Sequence, residues 1–392
     1  MLSLKMYPAK NGDAFLINAN GNHLLVDGGF ASTYTNYIAQ DLAELSRQGN
    51  RISLVVCTHI DADHIGGLLA FFSANGCPDS RGIEVDAVWH NSLRSLSSEP
   101  QGPCMPQDAR VLESIKRRGF PLATERAADP ISVRQGSSLA KLLRIERYHW
   151  NDGDGSQCID SRVAALDLPN AVQVKVLGPT VERLESLRTW WLREMKKLGY
   201  RGVGEASDLV DDAYEMWCAH DSQSAAPCIR PIAAQKDLQL TKVYTADTSI
   251  ANGSSIALLL TAGKASVLLL GDAWAEDMVA ELKQRQTDGG IQLFDAIKIS
   301  HHGSNHNTSV ELLAMVDAPC FLISTDGSRH GHPDFEVLAE IVDRPADFER
   351  RIYFNYETAA SQQLRTYTSK SHARFSVHVP EGEWIQIGEA NT

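Results

Sequence analysis

Positions 57–67 read Cys57-Thr58-His59-Ile60-Asp61-Ala62-Asp63-His64-Ile65-Gly66-Gly67. Two imidazoles and two carboxylates fall within six positions, directly after the apolar run Ile52 to Cys57. Imidazole nitrogen and carboxylate oxygen are the donors that zinc and manganese take from proteins, and a turn can aim alternate side chains at two adjacent ions. A single aspartate before a helix is ordinarily a cap; four donors packed this densely point instead to a metal site. Two dications about 3.5–4 Å apart would make a shared water reactive near neutral pH and neutralise charge growing on an attacked phosphoryl or carbonyl group. Such chemistry needs no serine or cysteine nucleophile, and the chain contains neither GxSxG nor GxxxxGK[ST].

The elements that must position these donors are legible on both sides of them. FLINANGNHLLVDGG reads as two strands joined by a turn at Asn20-Gly21-Asn22, the second ending at Asp27-Gly28-Gly29. A helical stretch over about 35–48 precedes the apolar strand from Ile52, whose unbroken run suits a strand covered on both faces. Another strand, Ile83 to Trp89, runs into His90 and Asn91. From about 93 to 240 Pro, Gly and Ser become frequent and strand signals thin out, so this stretch reads as an insertion into a single domain covering 1–392. Within it a packing helix is predicted near 181–198, with Leu184, Leu187, Trp191, Met195 and Leu198 on one face and Gly199 as its stop. Regular strands resume at Ser254. SSIALLL and SVLLLGD form a hairpin around Ala262-Gly263-Lys264. A helix from Ala275, the strand FDAIKIS, the strand CFLIST, a helix near 334–342, RIYFNY, and closing strands at FSVHV and WIQI follow. The Asp and Glu that recur at helical spacing elsewhere read as a solvated face.

His-x-Asp-x-Asp-His-x-Gly-Gly resembles the metal signature of the metallo-β-lactamase fold, which usually reads His-x-His-x-Asp-His. The departure is Asp61, where most members have His. That variant is similar to the soluble hydrolase domain of competence-type DNA-uptake channel proteins and their stand-alone bacterial relatives. Further segments resemble that branch in the same order: GDAFLI…LLVDGG, NGSSIALLL with LLLGD, IKISHHGSNHNTS, and HGHPDFEVL. The resemblance implies a four-layer αββα sandwich whose active centre is assembled from both sides of the insertion. His59 and Asp61 would then bind one ion, Asp63 and His64 the second, with Asp272 bridging and His301 completing the second site. His90 stands where the fold usually supplies another His to the first site, and Asn91 is the neighbouring candidate. Asp27 would orient the ligand loop, with a turn aspartate as its plainer role. Asp63 would serve catalysis as well as binding. His302 would contact substrate or hydrogen-bond its own loop, and His332 would face substrate. Asn252 is a weaker candidate for polar contacts. His306 and His330 read as loop residues; His23, His149, His220, His372 and His378 read as structural.

Replacing an imidazole by Asp61 adds negative charge and a harder oxygen donor, which favours Mn²⁺ relative to Zn²⁺. The expected cofactors are therefore two divalent ions, Zn²⁺ or Mn²⁺. The leading activity is a phosphodiesterase or nuclease acting on nucleic acid or a small phosphodiester. The alternatives are an ester, lactone or thioester hydrolase, and a latent effector of a bacterial defence system activated by a regulatory protein or protease. The chain has 37 basic and 49 acidic residues in 392, a net charge of −12, which offers no basic footprint for loose nucleic-acid binding. No apolar run approaches the roughly 18 residues of a membrane span, so no membrane partner is expected. Seven scattered cysteines without CxxC spacing and a first stretch that reads as a strand make a cytoplasmic protein the expectation.

Overall fold

The computed structural model describes residues 2–96, 106–118, 138–202, 208–223, 239–285, 290–329 and 331–388. Helices and mixed sheets make up two compact units. The first comprises Met1–Leu24, Asp160–Thr180 and Pro227–Thr392; the second comprises Leu25–Ile159 and Val181–Ala226. The chain leaves the first unit within the strand Asn22–Val26. The turn before that strand is the one read from sequence: Asn20 and Gly21 have φ of 50° and 88°, the left-handed pair that a two-residue hairpin loop demands.

The first unit is organised by an eight-stranded sheet. Its order is Phe375–His378, Arg350–Phe354, Cys320–Ile323, Ala296–Lys298, Ala265–Leu269, Ala257–Ala262, Val172–Gly178, Leu166–Leu168. The first five run parallel and the last three join antiparallel. Alternate residues, Leu268, Ile297, Phe321, Ile323, Ile352 and Phe354, enter one core with Met278, Leu282, Leu312, Leu313, Val337, Leu338 and Ile341. The latter come from helices Ala275–Arg285, Val310–Met315 and Phe335–Asp343, which supply the apolar cover that a parallel sheet requires. Three further strands, Ile385–Ile387, Leu2–Met6 and Phe15–Ala19, pair antiparallel in that order. Ser324 Oγ donates to the Gly12 carbonyl at 2.6 Å and Asn355 Nδ2 to that of Tyr7 at 3.0 Å, tying these loops to the strand ends.

The 93–240 stretch holds a strand that its composition obscured. Val172–Gly178 pairs with Ala257–Ala262, and its alternating burial is that of a strand near a sheet edge.

In the second unit Ile52–Val56 and Val88–Trp89 run parallel. The predicted strand from Ile83 is shorter than expected, with Val85 making only an isolated bridge to Ile52. The packing helix is Val181–Lys197; Leu184, Leu187, Trp191 and Met195 are buried as predicted, and Gly199 (φ 97°) ends it. Leu198 departs from the expected face, since it lies past the last helical turn and is 38% exposed. A larger correction concerns the helix Asp208–Gln223. Its Asp211, Asp212 and Glu215 are buried rather than solvated, because Arg94, Lys116 and main-chain amides from other segments meet them.

Two glycines bring the donor loop against the preceding strand end. A Cβ on Gly67 would lie 1.8 Å from the Gly28 carbonyl oxygen, and one on Gly28 would lie 2.5 Å from the Leu68 nitrogen. The contact carries hydrogen bonds from Gly28 N to His64 O (2.9 Å) and from Gly67 N to Gly29 O (2.7 Å).

Gly67→Ala is therefore expected to destabilise the protein by about 1–3 kcal/mol or more in urea unfolding, the usual range for overpacking; an unchanged midpoint would contradict the close approach. Burial also pushes the Asp211 carboxyl up to about 7, against the pull of Arg94. A raised carboxyl contributes stability below its unfolded value near 3.8 and loses it as pH rises through about 7. The stability of the wild type relative to Asp211→Asn should consequently fall between pH 5 and pH 8.

Candidate metal centre

Asp27 is fully buried at the end of the strand Asn22–Val26, with φ 56°, a left-handed conformation that aspartate tolerates better than most residues. Its Oδ1 accepts from Thr58 N at 2.7 Å, and its Oδ2 accepts from Thr58 Oγ1 at 2.7 Å and from His64 Nδ1 at 2.8 Å. Thr58 Oγ1, having given its proton to Asp27, accepts from His59 Nδ1 at 3.1 Å. Asp27 thus holds both imidazoles in the Nδ1–H tautomer, accepting from His64 directly and acting on His59 through Thr58, and leaves the lone pair of each ring on Nε2. The two rings lie 4.2 Å apart between centroids, both buried.

Asp61 and Asp63 flank the start of the helix Ala62–Asn75. Asp61 occupies the N-cap position, yet its side chain makes no capping hydrogen bond; its Oδ2 lies 3.9 Å from His59 Nε2. The cap alternative therefore does not account for Asp61. Asp63 sits half-buried in the first helical turn. His90, directly after Val88–Trp89, is buried and directs Nε2 to Glu215 Oε1 at 2.8 Å. Asn91 is spent on the main chain: its amide exchanges two 2.8 Å hydrogen bonds with Ile159.

The first unit carries its own donor group at the carboxyl ends of neighbouring parallel strands, the place where open α/β sheets bind ligands. Asp272 follows Ala265–Leu269, and His301 and His302 follow Ala296–Lys298. Donor atoms of Asp13, Asp272 and His302 lie within 4.8 Å of one another. His302 Nδ1 donates to the Ser324 carbonyl at 2.7 Å, and His301 Nδ1 to Asn307 Oδ1 at 2.7 Å. Both rings therefore turn Nε2 toward Asp272 Oδ2, at 3.8 Å for His302 and 3.9 Å for His301. Consecutive positive φ values, 45° and 57°, let the two adjacent histidines address one carboxylate. Such conformations cost about 1–3 kcal/mol each and cluster at functional sites.

Lys298 is buried here, donating to the Gly271 carbonyl at 2.9 Å, paired with Asp13 and 3.8 Å from Asp272. Burial would pull the His302 imidazole down, but Asp272 and Asp13 outweigh it and raise its pKa. His332 packs on His301 at 5.2 Å between ring centroids, and burial pushes its pKa down to about 4. Asn252 Nδ2 donates to Asp247 at 2.8 Å and lies 3.4 Å from His301 Nδ1. His306 is held by Thr245, as a loop residue. His330 and the side chain of His220 lie outside the described residues.

Sequence reasoning missed Asp13, Thr58, Lys298 and Glu215. Lys298 had a usable signal, a charged residue inside the apolar strand FDAIKIS. The other three carry none at the level of one chain.

The donor chemistry fits divalent cations. Each unit presents neutral-capable imidazoles whose Nδ1 protons are taken by carboxylate, hydroxyl, amide or carbonyl oxygen, which is how metal-ligating histidines are oriented. In each, carboxylates stand beside the imidazole Nε2 atoms.

Residues 7–138 match the family profile described as the metallo-beta-lactamase superfamily. No curated protein sequence matches the chain. Among solved structures, the chain is similar to the metallo-beta-lactamase fold protein YhfI from Bacillus subtilis at 10% identity and a TM-score of 0.37, covering 99% of each chain. It is likewise similar to Zn(2+)-bound PqqB from Methylobacterium extorquens at 10% identity and a TM-score of 0.35, covering 95% of this chain and 87% of that one. The mixed sheets with helices agree with the metallo-β-lactamase αββα class expected from the motifs. No helix among the described residues is long and apolar enough to cross a membrane.

Asp27→Asn keeps the side-chain shape but places an amide donor opposite groups that themselves donate. It should weaken divalent-ion binding about 10–100-fold and lower stability by about 1–3 kcal/mol, measured by calorimetric Zn²⁺ titration and urea unfolding. Binding equal to wild type would remove Asp27 from the centre.

Proposed function

We propose that this protein is a metal-dependent hydrolase of phosphodiesters, nucleic acid first among them. In this reading His59, Asp61, Asp63, His64 and His90 in one donor set, with Asp272 and His301 in the other, hold two divalent cations, Zn²⁺ or Mn²⁺. The observation that carries the reading is the Asp27–Thr58–His64 network, which sets His59 and His64 in the same tautomer. A core aspartate spent on orienting two adjacent imidazoles is hard to explain as packing, since a fully buried carboxylate is expensive unless every lone pair is used. The match of 7–138 to the metallo-beta-lactamase superfamily profile supports the same reading.

The bound cations would supply a reactive water near neutral pH and neutralise charge on the attacked group. The chain's own residues do the rest. Asp61 and Asp63 add negative charge beside the imidazoles and so favour a harder ion. His332, kept neutral by burial, offers a hydrogen bond rather than a charge to a substrate oxygen beside His301. Lys298 offsets the negative charge of Asp13 and Asp272, so that these carboxylates remain close without a large repulsive penalty.

Preference for a phosphodiester over a carboxyl ester follows from the likeness to DNA-uptake hydrolases, carried by Asp61 and by the order of the later motifs. The same likeness supports one hydrolase domain elaborated by the 93–240 stretch, acting in the cytoplasm.

Metal-stripped protein reloaded with Mn²⁺ should cleave single-stranded or linear nucleic acid, or bis-(p-nitrophenyl) phosphate. Asp63→Ala and Asp272→Ala should each reduce that rate at least about 100-fold, a loss of some 2.7 kcal/mol of transition-state stabilisation. Turnover of p-nitrophenyl esters with no cleavage of any phosphodiester would favour the carboxyl-ester alternative.

A further inference from the structure

A cleft of about 400 Å³ opens at one edge of the eight-stranded sheet, a volume in the range of small-molecule sites. Arg351, Tyr353, His378, Glu383, Trp384 and Gln386 line it, all within the first unit. Its wall is a row of side chains on one face of the sheet. Leu322 pairs in register with Tyr353, and Tyr353 with His378, so these residues stand side by side, on the face opposite Phe321, Ile352 and Val377 of the core. The Tyr353 and His378 rings are stacked, 4.9 Å between centroids and 24° between planes. Phe375–His378 is an edge strand with no described strand beyond it, so the outer face of the His378 imidazole ends the row.

His378 reads as structural from the sequence, but its surroundings prepare a flat, neutral surface. Ser376 Oγ lies 2.8 Å from its Nε2 and fixes the ring. Burial, and after it the charge of Arg351, push its pKa below the usual value, so the imidazole is uncharged near neutral pH. Arg351 stands in register with Ser376 on the same face and makes no ion pair with a described residue. Trp384 adds a further ring, with Lys5 Nζ 5.4 Å over its centroid. Two cations, Arg351 and Lys5, thus stand at the cleft beside one lining carboxylate, Glu383, in a chain whose net charge is −12.

These groups suit one class of ligand. A neutral aromatic face at the end of a stack takes a planar base, and a guanidinium takes a phosphate in a bidentate pair. Glu383 and Gln386 offer hydrogen bonds to the polar edge of such a base. An acidic peptide would use the cations but leave the ring faces and Glu383 unmatched. We propose that the cleft seats a nucleotide, its base continuing the Tyr353–His378 stack and its phosphate on Arg351. A free mononucleotide and one residue of a single strand share this chemistry. The cleft needs no metal, so the proposal goes beyond the metallohydrolase reading and neither falls with the other.

Calorimetric titration of the full chain with AMP, near neutral pH and with chelator present, tests this alongside the ring-proton signals of His378, assigned by their loss in His378→Gln. AMP should bind saturably and move those signals upfield, as a base stacked on the ring requires. His378→Ala should weaken binding about 5–150-fold, the range for one lost stacking partner, whereas His378→Phe keeps a ring face and should bind within a few-fold of wild type. Arg351→Gln should weaken binding of AMP more than that of adenosine. Hexadeoxyadenylate that binds more tightly than AMP would support the seat as one for a residue of a single strand; AMP that binds as tightly or better would support it as one for the free nucleotide. Failure of both to bind would overturn the proposal, as would binding that leaves the His378 ring signals unmoved. So would hexaglutamate or inorganic phosphate that binds as tightly as AMP, since the cleft would then be a patch of charge.

Discussion

A single fully buried carboxylate sets the geometry of the donor loop. Asp27 accepts three hydrogen bonds, from Thr58 N, Thr58 Oγ1 and His64 Nδ1, and through Thr58 it also governs His59. An ionised group in a dry interior persists only if its lone pairs are met in this way. Much of the local architecture follows from that demand. Asp27 adopts a left-handed backbone to bring its side chain under the loop, and Gly28 and Gly67 shed their Cβ atoms so that the strand end and the helix Ala62–Asn75 approach within reach. Exchange of either glycine or of Asp27 would be felt at the imidazoles, though none of the three is itself a proposed ligand.

The other unit solves the same problem with different groups. Asn307 and the Ser324 carbonyl take the Nδ1 protons of His301 and His302, and consecutive left-handed residues turn both rings to Asp272. Lys298 balances the charge of Asp13 and Asp272 from within a core strand. Proton placement at Nδ1 by oxygen acceptors is thus the common device, carried out by a carboxylate and hydroxyl in one case and by an amide and carbonyl in the other.

How much of this was legible in the chain depends on the range of the interaction. Strands such as Ile52–Val56 and Cys320–Ile323 announce themselves because their whole environment is apolar, and the helix Val181–Lys197 because its buried face repeats at helical spacing. The ligand candidates His59, Asp61, Asp63 and His64 were visible as a dense local cluster. Local pattern failed where a residue's role is set by a distant segment. The acids of Asp208–Gln223 have the spacing of a solvated face, yet Asp211, Asp212 and Glu215 are buried because Arg94, Lys116, Ser138 and Leu139 arrive from elsewhere. Val172–Gly178 was hidden for a related reason, as a single strand with polar Gln173 and Lys175 between its buried valines, in a stretch rich in turn residues. Asp13 and Glu215 look like any other surface acids until the fold encloses them.

The central claim is that these oriented donors exist to hold divalent cations. Calorimetric titration of chelator-stripped protein with Mn²⁺ and Zn²⁺ tests it most directly. The account predicts saturable binding of two ions per chain, with protons released as the ligands are engaged. A flat titration with both metals, on protein that remains folded, would contradict it.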